Sequence, residues 1–179
     1  MPVKLNGLKI ERKFTESGQD PFQKLNWNQR DVEIRNFDGT VAFSMKGVNL
    51  PDNYSQVAAN VLSQKYLRKA GVPKKLKKVR EKGVPIWLQR SVPDQKALDD
   101  LPESEKYGEE IDGRQTFRRL AGTWTYWGWK HGYFGTEEDA RAYYDEMCFM
   151  LASQRASPNS PQWFNTGLNW AYGIEGPPQ

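Results

Sequence analysis

Histidine and cysteine are almost absent from this chain of 179 residues: His131 and Cys148 are the one example of each. A single cysteine excludes an internal disulfide, and the two residues together cannot complete a Cys/His zinc site. No apolar run of about 18 residues occurs, which excludes a conventional membrane-spanning helix. The opening Met-Pro-Val-Lys-Leu-Asn-Gly has no apolar stretch of the kind a secretion signal needs. The expectation is a protein of the reducing cytoplasm, with no membrane attachment. Chemical motifs are equally scarce. There is no glycine-rich phosphate loop ending in Lys-Ser/Thr and no His-rich metal motif. The carboxylate pairs Glu109-Glu110 and Glu137-Glu138 fall in a linker and at a helix start, where solvation or the helix dipole accounts for them. Cys148 has Glu146 nearby, the wrong charge to stabilise a thiolate, and suits a small buried hydrophobe. The residues carry no complete catalytic set and no metal ligands.

Aromatics, by contrast, are plentiful: seven Trp, eight Tyr and eight Phe make 13% of the chain. Trp N–H and Tyr O–H need partners when buried, so a half-wet core or an extensive interface is expected. The net charge of +4 comes from one segment. Lys74, Lys75, Lys77, Lys78, Arg80 and Lys82 stand against Glu81 alone, leaving the rest of the chain close to neutral. This cluster is read as a solvated helix face, with contact to a phosphate as the alternative.

Taken in order, residues 8–14 (Leu-Lys-Ile-Glu-Arg-Lys-Phe) alternate apolar and charged and predict a half-buried strand. After a loop at 15–29, the runs 32–35 and 41–45 flank Asp38-Gly39 and predict a hairpin. A helix is expected from Pro51 to about Ala70, capped by Asp52 or Asn53. Its apolar stripe is Tyr54, Val57, Ala58, Val61 and Leu62, and Gly71 and Pro73 stop it. Residues 91–113 resemble a linker with a helical turn. Phe117, Leu120, Ala121 and Trp124 restart the helical period. The following tract, 124–134, holds six aromatics in eleven residues, either a core plug or a surface that stacks rings. Thr136 caps a further helix with Glu137, Glu138 and Asp139 in its first turn. That helix delivers the chain to Ser157-Pro158-Asn159-Ser160-Pro161-Gln162-Trp163-Phe164-Asn165-Thr166-Gly167. Two X-Pro pairs there predict a stiff, polar, non-helical loop, either an ordinary turn or a binding loop.

This loop, with Leu168 and the following Trp170-Ala171-Tyr172-Gly173, resembles the substrate-loop motif of the adenosylcobalamin-dependent (class II) ribonucleotide reductases. Lys9-Ile10-Glu11-Arg12-Lys13-Phe14-Thr15, the stretch from Ser55-Gln56-Val57-Ala58 to Gln64-Lys65-Tyr66-Leu67-Arg68-Lys69-Ala70-Gly71-Val72-Pro73, and Leu120-Ala121-Gly122-Thr123-Trp124-Thr125-Tyr126-Trp127-Gly128-Trp129 are similar to the same family in the same order. The resemblance implies an α+β, mainly helical segment. Strands and a hairpin occupy residues 1–50, a helical domain 51–156, and the substrate-loop motif 157–179, at the start of a ten-stranded α/β barrel. It also implies cobalamin-initiated thiyl-radical reduction of a ribonucleoside diphosphate or triphosphate for DNA synthesis, by three cysteines downstream of the motif. The partners implied are the remainder of the reductase polypeptide, the ribonucleotide substrate, a thiol reductant such as thioredoxin, and a second copy in a homodimer. Ser160 is the position that carries a substrate contact over from the family, with Asn165 and Gly167 matching the motif as loop-shaping residues first. Cys148 matches none of the family's catalytic cysteines, and cobalamin contacts are not identifiable. The alternative is a standalone nucleic-acid- or protein-binding module without catalysis.

Overall fold

A computed structural model of the chain describes residues 7–176. The expected hairpin forms from β1 (Trp27–Arg35) and β2 (Val41–Pro51), antiparallel, with Gly39 in its turn at a φ of 87° that favours glycine. It is longer than the two runs predicted, so the end of the expected 15–29 loop is strand. Val32, Met45, Val48 and Leu50 are buried on one face, while Asp31, Glu33, Ser44 and Lys46 beside them meet solvent.

The helix expected to reach Ala70 is shorter. Ser55, not Asp52 or Asn53, caps α1 (Gln56–Val61), its side chain accepting from Ala58 N–H. A π-helical turn, Leu62–Tyr66, follows and ends the run. Tyr54 lies before the cap, and the buried face of the run falls at Ala59, Leu62 and Ser63, so the expected stripe splits: Tyr54 and Leu62 are buried but Val57 is 73% exposed. The basic segment is not a helix either. After β3 (Val72–Pro73) it holds β4 (Leu76–Lys78), paired with β5 (Ser91–Pro93). A helix would stack like charges at i+3 and i+4, whereas a strand turns successive side chains to opposite sides. The 91–113 stretch carries the expected helical turn as α2 (Gln95–Asp99), and beyond it β6 (Tyr107–Gly108), which pairs with β3.

Helix α3 (Gly113–Lys130) runs through the core. Asp112 and Gln115 close a reciprocal capping box at its start. Phe117, Leu120 and Ala121 are fully buried on it, and Phe117 packs against the rings of Phe22, Trp27 and Trp163. Gly122 is a packing position, because a Cβ there would lie 2.2 Å from the Trp170 ring. Thr136 caps α4 (Glu137–Ala152) as expected, and α4 packs along α3.

The closing stretch departs from the expected non-helical loop. It forms α5 (Ser160–Asn165) and α6 (Leu168–Tyr172), with Pro161 in the first turn of α5. Proline is tolerated there because its missing N–H is one that the helix leaves unpaired anyway. The expected fold class, α+β and mainly helical with a small N-terminal antiparallel hairpin, is the one observed. Residues 1–6 and 177–179 of the expected divisions lie outside the described residues.

The segment at 8–14 is an extended arm rather than a strand. Leu8 makes one isolated bridge, to Phe134, and the rest lies on α4. Ile10 N–H donates to Asp139, Arg12 pairs with Glu138 and Asp145, and the N–H groups of Phe14 and Thr15 donate to Glu146. The period-two pattern is satisfied by helix carboxylates in place of a neighbouring strand.

Burial pushes the Glu146 pKa up, but the hydrogen bonds from the Thr15 side chain and from the Thr15 and Phe14 backbone outweigh it and hold the group below the ordinary carboxylate value. Unfolded glutamate titrates near about 4.3. The stabilisation is therefore complete above that pH and is lost as pH falls through the lower folded value. Glu146→Gln should melt below the parent at pH 7, and the difference should close in acid. Asp145, whose pKa burial raises despite Arg12, is common to both proteins and cancels in the comparison.

Candidate functional site

Between α4 and α6 the chain makes a short excursion whose tip is Ser160. Three features hold it. Trp163 is buried, with its ring stacked on Tyr66 (centroids 5.3 Å apart, planes 13° apart) and its edge against Phe117. Its indole N–H donates to Ser157 Oγ at 3.3 Å. Gly167 has φ +90°, and a Cβ there would sit 2.2 Å from the Arg119 carbonyl oxygen, so only glycine lets the backbone after α5 rest on α3.

The third feature is a buried ion pair. The Arg119 side chain on α3 and the Glu110 side chain just before it are both 0% exposed, with Nε donating to Oε1 at 2.9 Å. The rest of the guanidinium reaches three backbone carbonyls: Thr166 at 2.7 Å, Trp163 at 2.9 Å and Tyr66 at 2.9 Å. Glu110 accepts in turn from Tyr172 OH (2.8 Å), Thr116 Oγ1 (2.7 Å) and Arg68 N–H (2.8 Å). The pair thus grips α5 through Trp163 and Thr166, α6 through Tyr172, and the π turn through Tyr66. Burial first, and then the Glu110 charge, raises the Tyr172 phenol well above its ordinary pKa, which keeps it a donor.

Ser160 itself is exposed, with Oγ 3.0 Å from the Tyr66 hydroxyl. Asn165 is half-buried at the last position of α5. Five helical steps lie between the two, a rotation of about 140° around the axis, so they do not share a face. Tyr66, Glu110 and Arg119 were not singled out from the sequence. Glu110 looked like half of a solvated acidic pair. The available signal was Arg119, a charge set among Phe117, Leu120 and Ala121.

Beside the excursion lies a groove of about 640 Å³ lined by Trp124, Trp127, Tyr133 and Phe134 and closed by Pro158 and Gln162. The aromatic tract is therefore neither a core plug nor a free surface. Tyr126 and Trp129 instead donate to Glu81 and to the Gly83 carbonyl. His131 ends α3 in a turn, as expected. Cys148 is fully buried and its thiol is pushed up by burial, so it stays protonated. The basic cluster is partly engaged, Lys78 donating to the Gln89 carbonyl at 2.7 Å and lying over the Trp170 ring.

The family model described as class II vitamin B12-dependent ribonucleotide reductase matches residues 28–154. The chain belongs to that family. It is 59% identical over 96% of its length to a vitamin B12-dependent ribonucleotide reductase of Agrobacterium fabrum, and 57% identical, over the same share, to that of Bradyrhizobium diazoefficiens. A third such reductase, from Rhodopirellula baltica, is 31% identical over 95% of the chain. The chain spans about 14% of the length of the first two and 13% of the third.

Cobalamin carries a fringe of amides that need hydrogen-bonding partners. The groove offers mainly rings and aliphatic carbon, and among the described residues no three His, Cys, Asp or Glu gather to hold a metal ion. This groove does not fit a cobalamin site.

Arg119→Met leaves Glu110 as an unpaired buried charge and should lower unfolding free energy by about 3–5 kcal/mol. Replacing both residues by apolar ones should restore much of it, as urea midpoints would show. Trp127 and Tyr133 are 52% and 60% exposed at the groove, so the 179-residue chain should brighten an apolar dye. Trp127→Ser should reduce that signal.

Proposed function

We propose that this chain supplies one wall of the ribonucleotide pocket of a class II reductase, with the Ser160 hydroxyl as its substrate contact. Support comes from one observation: the family's Ser-Pro motif stands exposed at the tip of an excursion gripped by a fully buried ion pair. An exposed serine on an ordinary turn would not need so rigid a mount. Asn165, on another face of α5, shapes the end of the loop first and serves as a contact second.

On this proposal the complete polypeptide converts a ribonucleoside diphosphate or triphosphate into its deoxy form for DNA synthesis in the cytoplasm. Adenosylcobalamin supplies the radical initiation, and catalytic cysteines elsewhere in the polypeptide carry the thiyl radical and the reducing electron pair. A thiol reductant such as thioredoxin restores that pair, and the working enzyme is a homodimer. The isolated chain is inactive, because the chemistry needs three cysteines and this chain carries Cys148 alone, which matches none of them and is buried. Residues 1–50, 51–156 and 157–179 are proposed as hairpin region, helical domain and substrate-loop region.

The role of Ser160 is tested in the complete reductase. Ser160→Ala removes one hydrogen bond to a polar or charged group, worth about 1–2 kcal/mol. The Michaelis constant should rise roughly five- to thirtyfold at saturating cofactor, with unfolding unchanged. An unchanged Michaelis constant for every ribonucleotide would refute the contact.

A further inference from the structure

Ser160 does not stand alone at the tip. Tyr66 is the last residue of the π-helical turn, a distortion often found at functional sites. Its ring is stacked on Trp163 and tilted against Phe164, at centroid distances of 5.3 and 5.8 Å. Its carbonyl accepts from Arg119 Nη2 at 2.9 Å, and the same nitrogen is 2.9 Å from the Trp163 carbonyl. One buried guanidinium nitrogen thus ties together the two elements that bear Tyr66 and Ser160. The phenol is held by its backbone and by both neighbouring rings, and its hydroxyl ends 3.0 Å from Ser160 Oγ.

We propose that Tyr66 is a positioning residue for Ser160. The phenol donates to Ser160 Oγ and fixes a hydroxyl that would otherwise rotate. The serine proton is then directed outward, to an acceptor oxygen on the phosphorylated ribose. Each hydroxyl has one proton and two lone pairs, so a chain in which Tyr66 donates to Ser160 and Ser160 donates to substrate uses one proton of each. Two hydrogen bonds in series also polarise one another, which strengthens the outer one. This role rests on the substrate contact proposed for Ser160 above.

The test uses the complete reductase carrying Tyr66→Phe, Ser160→Ala and both together. Tyr66→Phe keeps the stacked ring and removes only the exposed hydroxyl, so the melting midpoint should not move. The Michaelis constant for ribonucleotide should rise roughly three- to tenfold with kcat unchanged, a loss of about one neutral hydrogen bond. In the Ser160→Ala background the second change should add nothing, because the group it positions is gone. A rise in the Michaelis constant with Ser160→Ala but none with Tyr66→Phe would overturn the inference and leave the Ser160 contact standing. So would a Tyr66→Phe effect of equal size in both backgrounds, or one accompanied by a fall in melting midpoint, since either marks a structural role. No change with Ser160→Ala would remove the contact and the positioning role together.

Discussion

The Arg119–Glu110 ion pair is the interaction on which the closing third of the structure depends. Both side chains are withdrawn from water, and neither could be so without the other. What makes the pair tolerable is the completeness of its hydrogen bonding: the guanidinium reaches three carbonyls, and the carboxylate is met by a phenol, a hydroxyl and an N–H. Those partners come from the π turn and the residues after it, from α3 itself, from α5 with its C-cap, and from α6. The cost of burying two charges is thus met only when all of these elements are in register. A well-packed apolar pair could be as stable, but it would accept several neighbouring positions of the loop. Directional bonds to Trp163 and Thr166 accept one.

This register bears on the proposed function through Ser160. A helix of six residues starting with Ser-Pro has little stability of its own, since helix formation needs more turns than that to repay nucleation. Its rigidity is borrowed from α3 through Arg119, from Tyr66 through ring stacking, and from the close seat that Gly167 permits. The aromatic wealth of the chain has its explanation here as well. Rings of Tyr66, Trp163, Phe117, Trp27 and Phe22 run in contact from the tip of the excursion into the core under the hairpin. A second aromatic set, Trp124 and Trp127 on α3 with Tyr133 and Phe134 just after it, lines the groove instead.

Local features were legible in the sequence wherever the deciding contacts were local. The hairpin follows from Asp38-Gly39 between two apolar runs, α4 from the Thr136 cap with three acids behind it, and α3 from the spacing of Phe117, Leu120, Ala121 and Trp124. Errors arose where a distant partner decided. The arm at 8–14 alternates like a strand, yet its N–H groups are taken by carboxylates some 130 positions on, at Asp139 and Glu146. The helix at Gln56–Val61 buries Ala59, while Val57 and Val61, on the apolar stripe that had looked continuous, face solvent. Mutual repulsion kept the cations near Lys77 out of a helix, and Pro161 opened a helix because it fell in a first turn.

The sequence by itself determined the family and the element types with strong local caps and turns, and it pointed to Ser160 as the proposed contact. These are properties of short stretches, and short stretches carry them. Only the tertiary structure decided that Glu110, Arg119 and Tyr66 meet the segment that carries Ser160. Their hydrogen-bond partners lie between 6 and 94 positions away along the chain, most of them more than 40, and no periodicity or motif spans such distances. A buried charge is specified by the groups that surround it, and those are assembled only when the chain has folded.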